Sequence, residues 1–163
     1  MPQEKSCGAI VFKTAKNQRF LGHRKSEGFS SGHKDGIKYL LLHYEAGHWD
    51  FPKGHIEEKE TDIDTIRREV EEETGIKDIE IIPNFREKIQ YYYKLEGELM
   101  HKEVVFCLAK TKTEQVRISF EHIGYIWLPY DKAMEKLTFK NAKEILEKAD
   151  KFLKTNKTLD DFQ

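Results

Sequence analysis

The segment GHIEEKETDIDTIRREVEEETGI, running from Gly54 to Ile76, carries the strongest helical pattern in this chain of 163 residues. Ile63, Ile66 and Val70 fall on one stripe and charged residues fill the opposite side, which predicts an amphipathic helix from Thr61 to Thr74. Thr61 is suited to cap its start and Gly75 to stop it. Glu69, Glu72 and Glu73 stand at i, i+3 and i+4, so their carboxylates share a face. Like charges one turn apart repel by roughly 0.2–0.5 kcal/mol per pair. The cluster therefore calls for cations, a basic partner or generous solvation.

Working outward, Cys7 to Phe12 and Lys38 to Tyr44 read as buried strands, and Pro52 with two glycines keeps Gly47 to Gly54 out of a helix. Beyond the helix, Ile79 to Pro83 is β-rich. Phe85 to Leu95 and Glu103 to Lys110 flank Gly97 as a pair of strands, and Ile118 to Leu128 adds another. A short helix is expected near Asp131 to Leu137 and an amphipathic one over Asn141 to Leu153. These elements predict one α+β domain spanning 1–163. The polar residues 13–36 form a long loop or insertion, either a lid carrying His23, Arg24, Lys25, His33 and Lys34 or a surface excursion. The tail from Thr155 to Gln163 is expected to fray.

Composition narrows the function. Lys and Arg total 28 against 29 Asp and Glu, a net charge of −1, which argues against an extended nucleic-acid surface. No run nears the roughly 18 apolar residues of a membrane span, and the N-terminus lacks a secretion pattern, so a cytoplasmic protein is expected. Cys7 and Cys107 lie in apolar stretches and read as small buried hydrophobes rather than redox or metal groups. Two histidines, at 23 and 33, lack a third ligand at zinc spacing.

Written as spacing, the opening segment is Gly54, five residues, Glu60, seven residues, then Arg68-Glu69-Val70-Glu71-Glu72-Glu73-Thr74-Gly75-Ile76. This resembles the Nudix box at every fixed position. The resemblance implies an α/β/α sandwich around a mixed sheet, in which the box binds Mg²⁺ or Mn²⁺ and a linked nucleoside diphosphate is hydrolysed. Hard divalent cations favour carboxylate oxygens, so Glu69, Glu72 and Glu73 would be ligands, with the side-chain-free Gly54 offering its carbonyl. Arg68 and Glu60 would pair and orient the ligands.

The flanks CGAIVF (7–12), LLL (40–42), HWDFPKGH (48–55) and EHIGYIWL (121–128) resemble the animal and archaeal asymmetric diadenosine tetraphosphate hydrolases. That resemblance implies cleavage to a nucleoside triphosphate and a monophosphate. It makes Tyr44, His48, Lys53 and Lys102 candidates for phosphate contact, and Tyr91 and Phe139 candidates to sandwich a base. Tyr92 and Tyr93 leave the tyrosine register open by one residue. Glu121 would bring a further carboxylate to the metals, and either Glu73 or Glu121 would be the general base. The long 13–36 segment departs from the resemblance and bears on substrate choice. Rival substrates are nucleoside triphosphates, RNA 5′ ends and diphosphoinositol polyphosphates; a silent nucleotide sensor is the rival of another class.

Overall fold

The computed structural model describes residues 1–15 and 36–156. The expectations for a lid or insertion over 13–36 and for the fraying tail therefore fall largely outside the described residues. Among those described, seven strands form one mixed sheet: β1 (Gln3–Thr14), β2 (Ile37–Tyr44), β3 (Trp49–Asp50), β4 (Lys53–His55), β5 (Glu80–Leu95), β6 (Glu98–Lys110) and β7 (His122–Leu128). Three helices complete the domain: α1 (Asp62–Thr74), α2 (Tyr130–Lys136) and α3 (Lys140–Thr155).

β1 is the organising strand. It runs parallel to β6 over Gln3 to Phe12, and β6 pairs in turn with β5. Two antiparallel partners divide its other edge: Phe12 to Thr14 face β2, whereas Ser6 to Gly8 face β4. Between them the Ala9 N–H donates to the Pro52 carbonyl at 3.1 Å, so the proline sits where only an acceptor is required. β2 also carries β3 and, on its far edge, β7. This divided edge brings the loop after β2 and strand β4 beside the start of β7.

Alternation along β1 and β2 explains the two cores. Cys7, Ala9, Val11, Leu40 and Leu42 face Ile66 and Val70 of α1. Ile10, Phe12, Tyr39 and Leu41 face the opposite side, where Ile145, Leu146 and Ala149 of α3 cover them. The result is the expected α/β/α sandwich. Cys7 and Cys107 are both buried free thiols in the α1-side core, and burial pushes the Cys7 thiol up to about 12.

The helix prediction needs one correction. Thr61 caps α1 through a reciprocal pair with Asp64, and Gly75 closes it in the left-handed region at φ 78°. Ile63, however, is 36% exposed in the first turn, and the buried side consists of Thr65, Ile66, Val70, Glu73 and Thr74. The helix thus turns Glu73 inward. The stretches read separately as Ile79 to Pro83 and Phe85 to Leu95 form a single β5 with an irregularity between Ile81 and Arg86, where Asn84 has φ 73°. β5 and β6 extend to a two-residue turn at Glu96 and Gly97, both with positive φ, which matches the twist of a tight hairpin.

Candidate active site

Gly54 and Glu69 form the first contact of the site. β4 passes so close to α1 that a Cβ on Gly54 would overlap the Glu69 carboxyl group, so any other residue here would make that flexible side chain swing aside. Glu73, one turn on, is 4% exposed. Its Oε1 accepts the main-chain N–H of Lys53 at 3.3 Å, tying the helix to β4. Burial, then the adjacent Glu69 carboxyl, drive the Glu73 pKa well above the usual carboxylate range, and the charge of Glu121 adds to this.

Arg68 explains how the helix tolerates its acidic face. Its Nε and Nη2 grip both oxygens of Glu60 at 2.7 and 3.0 Å, and Nη2 also donates to the His55 carbonyl at 2.9 Å. Nη1 reaches Glu69 at 2.8 Å and Glu72 at 3.2 Å. Glu60 further accepts the Glu57 N–H and the Thr65 hydroxyl. Arg68, and then the Glu57 N–H, hold the Glu60 carboxyl down to about 2. The planar guanidinium thus joins the loop before α1 to the helix face in a geometry an ammonium could not copy.

The structure brings Gly54, Glu69 and Glu73 together. Glu72 stays on the exposed rim beside Arg68, and Glu121 is also exposed, close enough for its charge to act on Glu73. Among the described residues, no group of three or more His, Cys, Asp or Glu side chains stands close enough to hold a metal ion as placed. The donor set nevertheless fits a divalent cation. Two hard carboxyl groups press together, one with its ionised form disfavoured, and a cation would replace the proton between them. Beside them the buried Nε2 of His122 lacks a hydrogen-bond partner.

A second part of the site is a cavity of about 520 Å³ lined by His48, Asp50, Lys53, Tyr91, Phe106 and Phe139, with Lys140 and Asn141 from the start of α3. Four of the proposed substrate-binding residues meet here. Tyr91 and Tyr93 share a face of β5, whereas Tyr92 is 61% exposed on the other, which selects Tyr91 for the cavity. Phe139 stands 5.2 Å from His48, ring centroid to centroid, immediately before α3. Burial and then the Lys53 charge lower the His48 pKa, favouring a neutral imidazole.

Two other candidates stand differently. Tyr44 donates its hydroxyl proton to the Phe51 carbonyl at 2.7 Å and stacks on His48 at 4.6 Å. Its donor is turned into the protein, so it shapes the site through its ring; burial, then Glu73, keep the phenol strongly protonated. Lys102 lies across from Tyr91 in the β5–β6 pairing but outside the cavity lining, with Nζ 4.0 Å from Glu4. Burial and the charge of Lys53 lower its pKa.

Sequence reasoning passed over Asp50, Lys140 and Asn141. Asp50 is buried, accepts the Phe51 N–H at 2.8 Å and faces the Lys53 ammonium at 3.4 Å. A carboxylate three residues before a lysine in an apolar loop was the available signal. Lys140 and Asn141 had none, because only the return of α3 across the sheet brings them to Lys53.

A carboxylate-faced helix packs on a glycine strand at the divided edge of a mixed sheet, with a cavity of aromatic and basic side chains alongside. The NUDIX domain family model matches residues 10–149, and the chain belongs to that family as a Nudix hydrolase. The asymmetrical bis(5′-nucleosyl)-tetraphosphatase of Sus scrofa is 38% identical over 155 residues, 91% of this chain and 95% of that protein. Its counterpart in Mus musculus is 37% identical over the same length and coverage. Among solved structures, a binary complex of the Caenorhabditis elegans Ap4A hydrolase superposes with a TM-score of 0.73 at 24% identity, covering 93% of this chain and 98% of that one. No helix among the described residues is long and apolar enough to cross a membrane.

Proposed function

We propose that this chain hydrolyses diadenosine tetraphosphate asymmetrically, to ATP and AMP, with Mg²⁺ or Mn²⁺. One observation carries the reading: Lys53 belongs to both halves of the site, its N–H bonded to Glu73 and its side chain lining the aromatic cavity. A base held in the cavity thereby places its phosphates against the carboxylates of α1. The identity of more than a third with the mammalian tetraphosphatases over nearly the whole chain supports the same substrate.

Each residue then has a part. Tyr91 and Phe139 stack on the base, where aromatic contact is worth about 1–3 kcal/mol per base. Lys53 and the neutral His48 donate to phosphate oxygens, and Lys102 lends positive charge from the neighbouring strand. Gly54, Glu69, Glu72, Glu73 and Glu121 would hold the metal, which when bound supplies a nucleophilic water at neutral pH and offsets the phosphate charge. Arg68 and Glu60 fix the box in place. Glu73 or Glu121 holds the proton taken from the attacking water.

Product analysis tests the reading. With diadenosine tetraphosphate and Mg²⁺ in ¹⁸O-labelled water, equal ATP and AMP are expected. Two molecules of ADP, or preferred turnover of nucleoside triphosphates, diphosphoinositol polyphosphates or RNA 5′ ends in the same assay, would overturn it. Binding without turnover in excess Mg²⁺ would identify a sensor instead.

A further inference from the structure

His122 opens β7 and its side chain is wholly buried, against the edge of the Tyr44 ring at a centroid distance of 4.4 Å. Its two nitrogens have different surroundings. Nδ1 lies 3.0 Å from the Ser119 hydroxyl, while Nε2 has no hydrogen-bond partner and stands 3.8 Å from Glu73 Oε1. The Ser119 oxygen also accepts the main-chain N–H of Glu121 at 3.3 Å. In the tautomer whose Nδ1 accepts the Ser119 hydroxyl proton, the hydrogen of the neutral imidazole sits on Nε2.

An unpartnered N–H in so closed a place is destabilising, and a phenyl ring would fill the same space without that cost. The histidine therefore needs a role beyond packing. We infer that His122 is a positioning residue for Glu73, directing its Nε2–H at Oε1 of the carboxylate so that the other oxygen stays aimed at the metal and the attacking water. The inference rests on the reading that places Glu73 at the metal.

A carboxylate relieved of its proton gains most from the N–H, and closing the 3.8 Å gap to a hydrogen bond requires a shift of under about 1 Å. Hydrogen bonds run from the Glu121 main-chain N–H to Ser119 and on to His122, whose Nε2 stops 3.8 Å from Glu73 Oε1. The short segment 119–122 therefore carries Glu121 and also the nearest side-chain donor to Glu73.

Three variants test the proposal, His122→Phe, His122→Gln and Ser119→Ala, each read by kcat and KM on the best substrate and by Mn²⁺ titration of the metal-free protein without nucleotide. His122→Phe keeps a ring on Tyr44 but removes the donor. It is expected to lower kcat and Mn²⁺ affinity about 10–100-fold with little change in KM. His122→Gln restores an N–H near the Nε2 position and is expected to recover most of both, and Ser119→Ala should fall between. Wild-type kcat and Mn²⁺ affinity in His122→Phe would overturn the role, as would equal loss in Phe and Gln variants. Should His122→Phe not fold, unchanged values in Ser119→Ala would overturn it alone. The Mn²⁺ titration needs no substrate, so failure of the tetraphosphate reading leaves it decisive.

Discussion

The main-chain N–H of Lys53 donates to Glu73 Oε1 across 3.3 Å, while the Lys53 ammonium stands over the Tyr44 ring at 5.1 Å and faces the aromatic cavity. One residue of β4 thus fixes the distance between a buried carboxylate and the place where a base can stack. Under the proposed function the chemistry depends on that fixed distance, because phosphate groups are spaced by covalent bonds and must meet the carboxylates in register.

Glu73→Gln should leave the fold intact and reduce kcat by about three orders of magnitude, the range expected when a group that handles the water proton is removed. The amide can still accept the Lys53 N–H, so circular dichroism and melting should stay close to those of the parent. Treatment with EDTA should abolish turnover in the parent, and Mg²⁺ or Mn²⁺ should restore it. Turnover that survives both changes would dissociate this site from catalysis.

Gly54→Ala should act on the metal centre through Glu69. The added Cβ would overlap that carboxyl group, which must then swing aside or push β4 from the helix. Displacing one ligand by about 1 Å is expected to cost on the order of 10²-fold in kcat. The metal concentration for half-maximal rate should rise with it, measured by Mg²⁺ titration at saturating substrate.

The box was legible in the sequence because its signals are local. A capping threonine, a closing glycine and three glutamates at helical spacing need no tertiary information, and the cap, the stop and the helix between them lie where the periodicity puts them, although Glu73 turns inward and Glu72 stays on the rim. Ile63 misled because periodicity describes the helix alone, whereas exposure depends on where the sheet beneath it ends. The Lys53 bond to Glu73 and the Ser119–His122 contact were illegible for a similar reason. They depend on β4 pairing with β1 while β7 pairs with β2, an arrangement that the divided edge of β1 allows. Tyr44 shows the limit of reasoning by residue type: a phenol suits a phosphate, but its proton goes to Phe51.

Phe139→Ala should separate base recognition from chemistry. Phe139 is 46% exposed, so its stacking energy belongs at the low end, about 1 kcal/mol, equivalent to roughly fivefold in binding. The expected outcome is a KM for diadenosine tetraphosphate raised about fivefold with kcat nearly unchanged. Tyr91→Ala should raise KM further, because Tyr91 is more enclosed and packs on the α3-side core. A loss confined to kcat in either variant would remove the base from this cavity.

Asp78 offers a prediction about stability, away from the carboxylates of α1. It accepts the hydroxyls of Thr111 and Thr113 and the Lys112 N–H, pinning the end of β6 to the segment after α1. Burial raises its pKa, but these three donors together with its own main-chain N–H outweigh burial and the net shift is downward from 3.8. The folded state therefore binds this proton less readily than the unfolded chain. Its contribution is present above pH 3.8 and is lost as pH falls through the lower folded value. Asp78→Asn places an amide donor where donors already converge, and because Asp78 is exposed the cost at pH 7 should be about 1 kcal/mol. Urea melts of both proteins should show that gap at pH 7 and its progressive closure below pH 3.8. A gap that stays constant into acid would mean that the charge of Asp78 contributes nothing to holding β6.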